Sequence, residues 1–309
     1  MKSILEAGDL NNKRVLVRVD WNVPIEDGVV LDDYRIKQSM PTLEYLKKTG
    51  AKVILATHLE PEGVSVDILR SYVPEGMELL ENLRNNPGEK SNSKEFAKSL
   101  AEKADVYVNE AFSASHRNHT SIVGLPKFLP SYAGISFTKE VEELSKAFNP
   151  SHPFLFILGG AKFETKLPII EKFLNLADSI FIGGTLAKVA KVGSLGKNPK
   201  VIFPIGDIEA LDSNDETLAM LKDKINESEF ILWNGPLGDY EHGYTEGTFN
   251  LASLIAESGK TSIVGGGDTL AAIKKLNITD KFTFVSTGGG AMIDFLAQGT
   301  LPGIEALKN

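Results

Sequence analysis

Short apolar runs alternate with longer stretches of helical spacing, and that rhythm predicts strand–helix layering along the whole chain. In the first half, residues 14–20, 53–56 and 105–108 read as strands. Met40, Leu43 and Leu46 recur at helical spacing over 40–48 with Gly50 as the stop, and 96–103 reads as a second helix. The second half repeats one grammar, an apolar run followed by glycine. Residues 154–158 run into Gly159-Gly160, 180–182 into Gly183-Gly184, and 230–233 into Asn234-Gly235-Pro236. Residues 262–264 lead to Gly265-Gly266-Gly267-Asp268, and 282–285 to Gly288-Gly289-Gly290. Near-continuous apolar strands imply sheets covered on both faces, hence an α/β fold with mostly parallel, doubly wound sheets. Glycine-rich turns at the carboxyl ends of such strands lie where these sheets bind ligands. The acidic helical stretch 139–148, ending at Asn149-Pro150, is the expected connector between two halves.

Composition narrows the function. The 309 residues are 42% hydrophobic and 24% charged, enough for one large domain or two ordinary ones. A net charge of −8 argues against nucleic-acid or membrane-surface partners. The absence of cysteine removes disulfides, thiol catalysis and thiolate metal sites, and fits a reducing compartment. No run reaches membrane-spanning length and the first residues lack a signal-peptide core, so a cytoplasmic protein is expected. All six arginines fall within the first 117 residues, whereas 20 of the 28 glycines fall in 151–309. Arginine is a forked donor for phosphate or carboxylate, and glycine lets backbone N–H groups approach a ligand. On the counts alone, chance drift and ordinary turns explain the asymmetry equally well.

Several motifs fail. Gly259-Lys260-Thr261 imitates the end of a Walker A loop, but Leu254 stands where the earlier glycine is required. No dinucleotide fingerprint follows the first strand, and His116 and His119 lack a neighbouring carboxylate cluster that would make a metal site. Asp20 and Asn22 follow the first strand and face a crevice or, more simply, form an Asx-turn. Arg35 reads as a ligand donor or as a surface ion-pair partner of Asp32 and Asp33. His58 ends the second strand, where a lone histidine is more often structural.

In order, these segments resemble phosphoglycerate kinases from end to end. The resemblance rests on 15–24 (VLVRVDWNVP), 32–36 (DDYRI), 79–84 (LLENLR), and 104–112 (ADVYVNEAF) running into His116-Arg117. It continues through 157–162 (ILGGAK), 233–238 (WNGPLG), 262–268 (SIVGGGD), 286–291 (STGGGA) and 301–303 (LPG). The resemblance implies two doubly wound lobes with a cleft between them that closes by a hinge. An N-terminal lobe over 1–148, with a return segment over 288–309, would take 3-phosphoglycerate or its 1,3-bisphospho form. A C-terminal lobe over 149–287 would take Mg²⁺ with ATP or ADP. It implies small-molecule partners and a monomer. Asp20 and Asn22 would bind the hydroxyl and carboxyl end of the substrate, His58, Arg84 and Arg117 its non-transferred phosphate, and Arg35 the migrating phosphoryl group. Arg35 and Lys162 would be catalytic. Lys162 and Lys166 would face the nucleotide phosphates, joined by Gly160, Gly183, Gly265, Gly266, Gly267, Thr269, Gly288 and Gly289. Asn234, Pro236 and Glu241 would contact the nucleotide, and Asp268 would hold the Mg²⁺.

The chain also departs from that pattern. It is shortened between His58 and Leu79 and between Gly184 and Trp233, where only 212–217 (DSNDET) stands in place of a segment near the adenine. The family's His-Leu-Gly-Arg-Pro reads His58-Leu59-Glu60-Pro61-Glu62, so a phosphate-binding arginine is lost and acid gained. Three readings follow: an active minimal enzyme, which is favoured; a degenerate, non-catalytic homologue that binds nucleotide or phosphosugar; and a kinase for a different acyl substrate.

Overall fold

The computed structural model describes residues 1–308, and its chain forms two compact units. Unit 1 comprises Met1–Glu142 and the last residues from Thr300, and unit 2 is Glu143–Gly299. These divisions lie at 142/143 and 299/300, against the 148/149 and 287/288 expected from sequence.

In unit 1 the chain forms β1 (Arg14–Val19), a small hairpin of β2 (Ile25–Glu26) and β3 (Val29–Val30), helix α1 (Tyr34–Lys48), then β4 (Lys52–Ala56) and β5 (Glu78–Leu79). Helix α2 (Lys94–Ala101), β6 (Val106–Glu110), β7 (Ser131–Ala133) and α3 (Ile135–Ser145) follow, the last residues of α3 already belonging to unit 2. The strands make one parallel sheet of order β5-β4-β1-β6-β7. The chain winds outward from β1 to β5 and then returns to β6, so the topological switch lies between β1 and β6.

Helix α1 starts six residues before the expected Met40. Its buried stripe includes Ser39 and Thr42 beside Ile36, Leu43 and Leu46. Both hydroxyls are used: Ser39 Oγ accepts from Trp21 Nε1 at 2.9 Å, and Thr42 Oγ1 donates to Glu110 at 2.8 Å. A satisfied hydroxyl buries as well as a methyl group, and a count of apolar positions misses it.

Unit 2 contains β8 (Phe154–Leu158), α4 (Phe163–Phe173), β9 (Ser179–Ile182), α5 (Leu186–Val192), β10 (Val201–Ile202), α6 (Asp215–Glu227) and β11 (Phe230–Asn234). Then come α7 (Glu246–Ser258), β12 (Thr261–Gly265), α8 (Gly267–Lys275), β13 (Phe284–Ser286) and α9 (Gly290–Gln298). The sheet is again parallel, of order β10-β9-β8-β11-β12-β13, with its switch between β8 and β11. Every residue of both central strands is buried, which is what their unbroken apolar runs require. The 212–217 segment acts as a helix start: Asn214 Oδ1 accepts from Thr217 N at 2.9 Å, capping α6, and Asp212 accepts from Gly247 N at 3.1 Å.

The chain ends in unit 1. Helix α10 (Pro302–Ala306) packs with Gly303, whose N–H donates to the Ser115 carbonyl at 2.9 Å. A Cβ at Gly303 would stand 2.6 Å from that of Ser115, so only glycine permits this approach. Among the described residues no helix is long and apolar enough to cross a membrane.

Candidate functional site

In unit 1 the polar groups gather at the carboxyl ends of β1 and β4 and in the turns after β5 and β6. Arg18 interrupts an otherwise aliphatic strand and is only 1% exposed. Its Nε donates to Ser121 Oγ at 2.9 Å, and Ser121 in turn donates to Glu89, so a hydroxyl links the two buried charges. Its Nη2 lies 2.9 Å from His58 Nδ1. A guanidinium can only donate, so Nδ1 is the acceptor and the imidazole carries its proton on Nε2. Burial, and then Arg18, push His58 down to about 3. At neutral pH it is uncharged, and its 3.9 Å approach to Asp20 is not an ion pair.

Asp20, just beyond β1, accepts from Arg35 Nη1 at 2.9 Å and from Ser113 Oγ. Burial works to raise its carboxyl, but Arg35 and the neighbouring donors outweigh it and hold Asp20 below the ordinary range. Arg35 therefore pairs with Asp20 and not with the aspartates beside it. Asp32 Oδ1 accepts from Tyr34 N at 2.9 Å at the start of α1, and Asp33 pairs with Lys37 at 2.9 Å. Asn22 does not form an isolated turn either; its Oδ1 accepts from Glu60 N at 3.1 Å.

Arg84 lies in a 3₁₀ turn after β5 and is 5% exposed. Burial, and then the charge of Arg117, lower its pKa from the ordinary guanidinium value. Its Nη2 stands 3.4 Å from Glu60 Oε1, and Arg117 Nη1 stands 3.7 Å from the same oxygen. Two buried polar atoms in this group have no protein partner, the acceptor Asp20 Oδ1 and the donor Arg84 Nε. Structures rarely leave such atoms unpaired without a ligand or water to meet them. Sequence reasoning gave no role to Arg18, Ser113 or His119. His119 is pushed down to about 4 by burial and by Arg84, Arg117 and Arg18, so it senses the same positive charge. For Arg18 the signal was visible: a lone charge inside an apolar strand.

In unit 2 the polar groups gather at the carboxyl ends of β8, β11, β12 and β13. The turns after β8 and β11 cross each other: Gly159 N donates to the Asn234 carbonyl at 2.9 Å and Gly160 N to the Pro236 carbonyl at 2.8 Å. A Cβ on Gly159 would lie 2.1 Å from the Pro236 carbonyl oxygen, and one on Gly235 (φ +93°) 2.4 Å from that of Gly159. The glycines here serve the crossing. The Gly160 and Gly183 N–H groups are already engaged, the latter by the Leu158 carbonyl at 2.9 Å, so they offer a ligand room and no donor. Thr269 is a strut, its Oγ1 accepting from Gly235 N at 3.1 Å, and Asn234 is buried with Nδ2 at 3.6 Å from Met292 Sδ.

Helices α4, α8 and α9 start shortly after β8, β12 and β13, and their first N–H groups carry the positive end of the helix dipole. Nothing stands within 4 Å of a Cβ at Gly267 or Gly289, so these two helix starts are open. Gly265 ends β12, Gly266 caps α8, and Gly288 N donates to Ser286 Oγ at 3.1 Å. Lys162 caps α4 in a left-handed conformation (φ +64°) with its side chain exposed. Lys166 is partly buried and its Nζ donates to the Gly159 carbonyl at 2.5 Å. Burial pushes it down to about 8, against the pull of Asp268. The two lysines are thus unlike, Lys162 exposed and Lys166 tied to the Gly159 carbonyl.

Asp268, in the first turn of α8, is pushed up by burial and by Glu241 and pulled down by Lys166. Among the described residues no three His, Asp or Glu side chains gather into a metal cage. One carboxylate raised by a second is nevertheless suited to Mg²⁺, which binds through one or two carboxylates together with substrate phosphates.

These features define a class: a two-unit α/β protein with converging arginines in one unit and open helix starts, lysines and a carboxylate pair in the other. The family model described as phosphoglycerate kinase matches residues 5–68, 64–198 and 188–299. The chain is 35% identical to the phosphoglycerate kinase of Dictyoglomus turgidum over 392 aligned positions, covering 100% of this chain and 99% of that one. It is likewise 35% identical to that of Borrelia garinii over 390 positions, at 100% and 99% coverage. Among solved structures it is similar to the phosphoglycerate kinase of Coxiella burnetii, with a TM-score of 0.85 and 30% identity over 99% of this chain and 98% of that one. It is also similar to that of Pyrococcus horikoshii, with a TM-score of 0.86 and 27% identity over 100% and 98%. The chain belongs to the phosphoglycerate kinase family. It does so with 309 residues, the shortfall lying inside the alignments.

Proposed function

We propose that this chain transfers a phosphoryl group reversibly between 1,3-bisphosphoglycerate and ADP, giving 3-phosphoglycerate and ATP. The observation that carries the reading is the pair of unpartnered buried atoms in unit 1. Asp20 Oδ1 can accept from a substrate hydroxyl, and Arg84 Nε can donate to an anionic oxygen. The neutral His58, with Arg18 fixing its tautomer, presents Nε2–H as a further donor. Arg84 and Arg117 would hold the phosphate that is not transferred. Arg35, anchored by Asp20, would meet the charge that spreads over the migrating phosphoryl oxygens.

In unit 2 the open starts of α8 and α9, with Lys162 and Lys166, would receive the nucleotide phosphates. Glu241 would lie towards the ribose. Asp268 would hold Mg²⁺, which supplies charge neutralisation to the phosphate oxygens when bound. In the direction of ATP use, a carboxylate oxygen of 3-phosphoglycerate attacks the γ-phosphorus in line and the bond to the β-phosphate oxygen breaks. The nucleophile is already ionised, so no general base is needed. Catalysis is positioning, charge neutralisation and exclusion of water. No observation favours the degenerate, non-catalytic reading. The test is a coupled assay with 3-phosphoglycerate and Mg-ATP: turnover supports the proposal, and its absence with a folded protein overturns it.

A further inference from the structure

Glu60 stands where the family pattern has glycine, one residue before the lost arginine. A carboxylate that faces the same pocket as an anionic substrate opposes its binding. A single oxygen, Oε1, does lie near both remaining arginines, 3.4 Å from Arg84 and 3.7 Å from Arg117.

The surrounding backbone is held tightly while this side chain is not. Leu59 N donates to Asn82 Oδ1 at 3.1 Å, Glu60 N to Asn22 Oδ1 at 3.1 Å, and Gly63 N to Asn85 Oδ1 at 2.9 Å. Glu62 is tied to Lys90 at 2.7 Å. The Glu60 side chain is 53% exposed and makes no hydrogen bond to either arginine, so rotation about its own bonds frees it without moving the loop. The other nearby carboxylates are committed, Asp20 to Arg35 and Glu89 to Ser121. Among the described carboxylates, Glu60 alone is both within reach of Arg84 and Arg117 and free to leave.

We infer that Glu60 is a specificity-determining residue that occupies the phosphate seat of Arg84 and Arg117 as an internal counter-ion and yields it only to a dianionic phosphate. This rests on the substrate reading above and adds a residue to it. A singly charged carboxylate gains little by displacing another carboxylate, whereas a phosphate brings more charge and more acceptor oxygens to the same donors. The cost is weaker ground-state binding: KM for 3-phosphoglycerate is raised, and kcat is left alone because the seat holds the group that does not react.

The experiment compares Glu60→Gln with Glu62→Gln, which removes the same charge from the same loop but from a carboxylate paired to Lys90. Inorganic phosphate is titrated into each protein by calorimetry, and KM for 3-phosphoglycerate and for ATP is measured. Glu60→Gln is expected to tighten phosphate and lower KM for 3-phosphoglycerate about tenfold, with kcat and KM for ATP within twofold. Glu62→Gln should change each by less than twofold. Equal effects of the two variants, or no change in either, would overturn the inference even if the wild type turns over 3-phosphoglycerate. Tighter phosphate binding by Glu60→Gln in a protein without turnover would support the counter-ion and overturn the substrate reading instead.

Discussion

The two units share a parallel sheet with a topological switch, yet they assemble their polar ends in opposite ways. Unit 1 builds its cluster from side chains on five separated segments, the charged Arg18, Arg35, Arg84 and Arg117 and the neutral His58, three of the five buried. Unit 2 builds its cluster from local strand–turn–helix units, in which backbone crossings set the geometry and few charges are buried. Charge concentrated in a buried place needs compensation, supplied in unit 1 by Glu89, Asp20 and Glu60. Helix starts carry only partial charge and need none. The lesson is that binding anions through side chains makes a site tunable by single substitutions, whereas binding them through backbone makes it sensitive to shape.

That contrast can be broken experimentally, starting with shape. Gly235→Ala places a Cβ 2.4 Å from the Gly159 carbonyl oxygen at φ +93°, and should destabilise unit 2 by about 3–5 kcal/mol in denaturant unfolding. A loss under 1 kcal/mol would show that the crossing is pliable. Arg35→Ala should lower kcat by about 100-fold, roughly 2.7 kcal/mol, and raise KM far less. A normal kcat would remove Arg35 from the transition state.

The third test is pH. His58 in the folded chain sits at about 3, below its unfolded value, so as pH falls from about 6.5 the unfolded state takes the proton first and stability declines. Compared with Glu or Gln at this position, only histidine has this window. Between pH 7 and pH 5 the wild type should lose about 2 kcal/mol relative to His58→Gln in urea unfolding. Parallel curves for the two proteins would place His58 in contact with water. The smallest effect concerns unit 2, where Asp268→Asn should weaken Mg-nucleotide binding about tenfold and leave 3-phosphoglycerate binding intact. Equal losses of both ligands by calorimetry would point to a damaged fold.

What could be read from the sequence follows the same division. The run 154–158 coincides with β8, and each apolar run before a glycine turn in unit 2 overlaps a strand, the run 282–285 meeting the edge strand β13. Those elements carry their signal locally. The two-residue strands β5 and β10 were not legible, because two residues have no period. Helix α9 falls in unit 2, and nothing in composition marks the change of unit after Gly299. In unit 1 the chemistry of Asp20 and Arg35 could be named, but their partnership could not, since Asp32 and Asp33 were nearer in sequence. Glu60 was visible as an anomaly. Its seat between Arg84 and Arg117 needed the fold to bring residues 60, 84 and 117 together.

The short helix α10 has a consequence for biosynthesis. Unit 1 is closed by residues from Thr300 onward, through the Gly303–Ser115 hydrogen bond, after all of unit 2 has been translated. At about 5–20 residues per second, a nascent chain waits roughly 10–30 s between the end of the first stretch of unit 1 and the arrival of its last piece. Unit 2 is contiguous and emerges whole during that interval. The vectorial order of synthesis is therefore the reverse of the order of completion: the half begun first is finished after the half begun second, and the Ser115 carbonyl waits for its Gly303 donor.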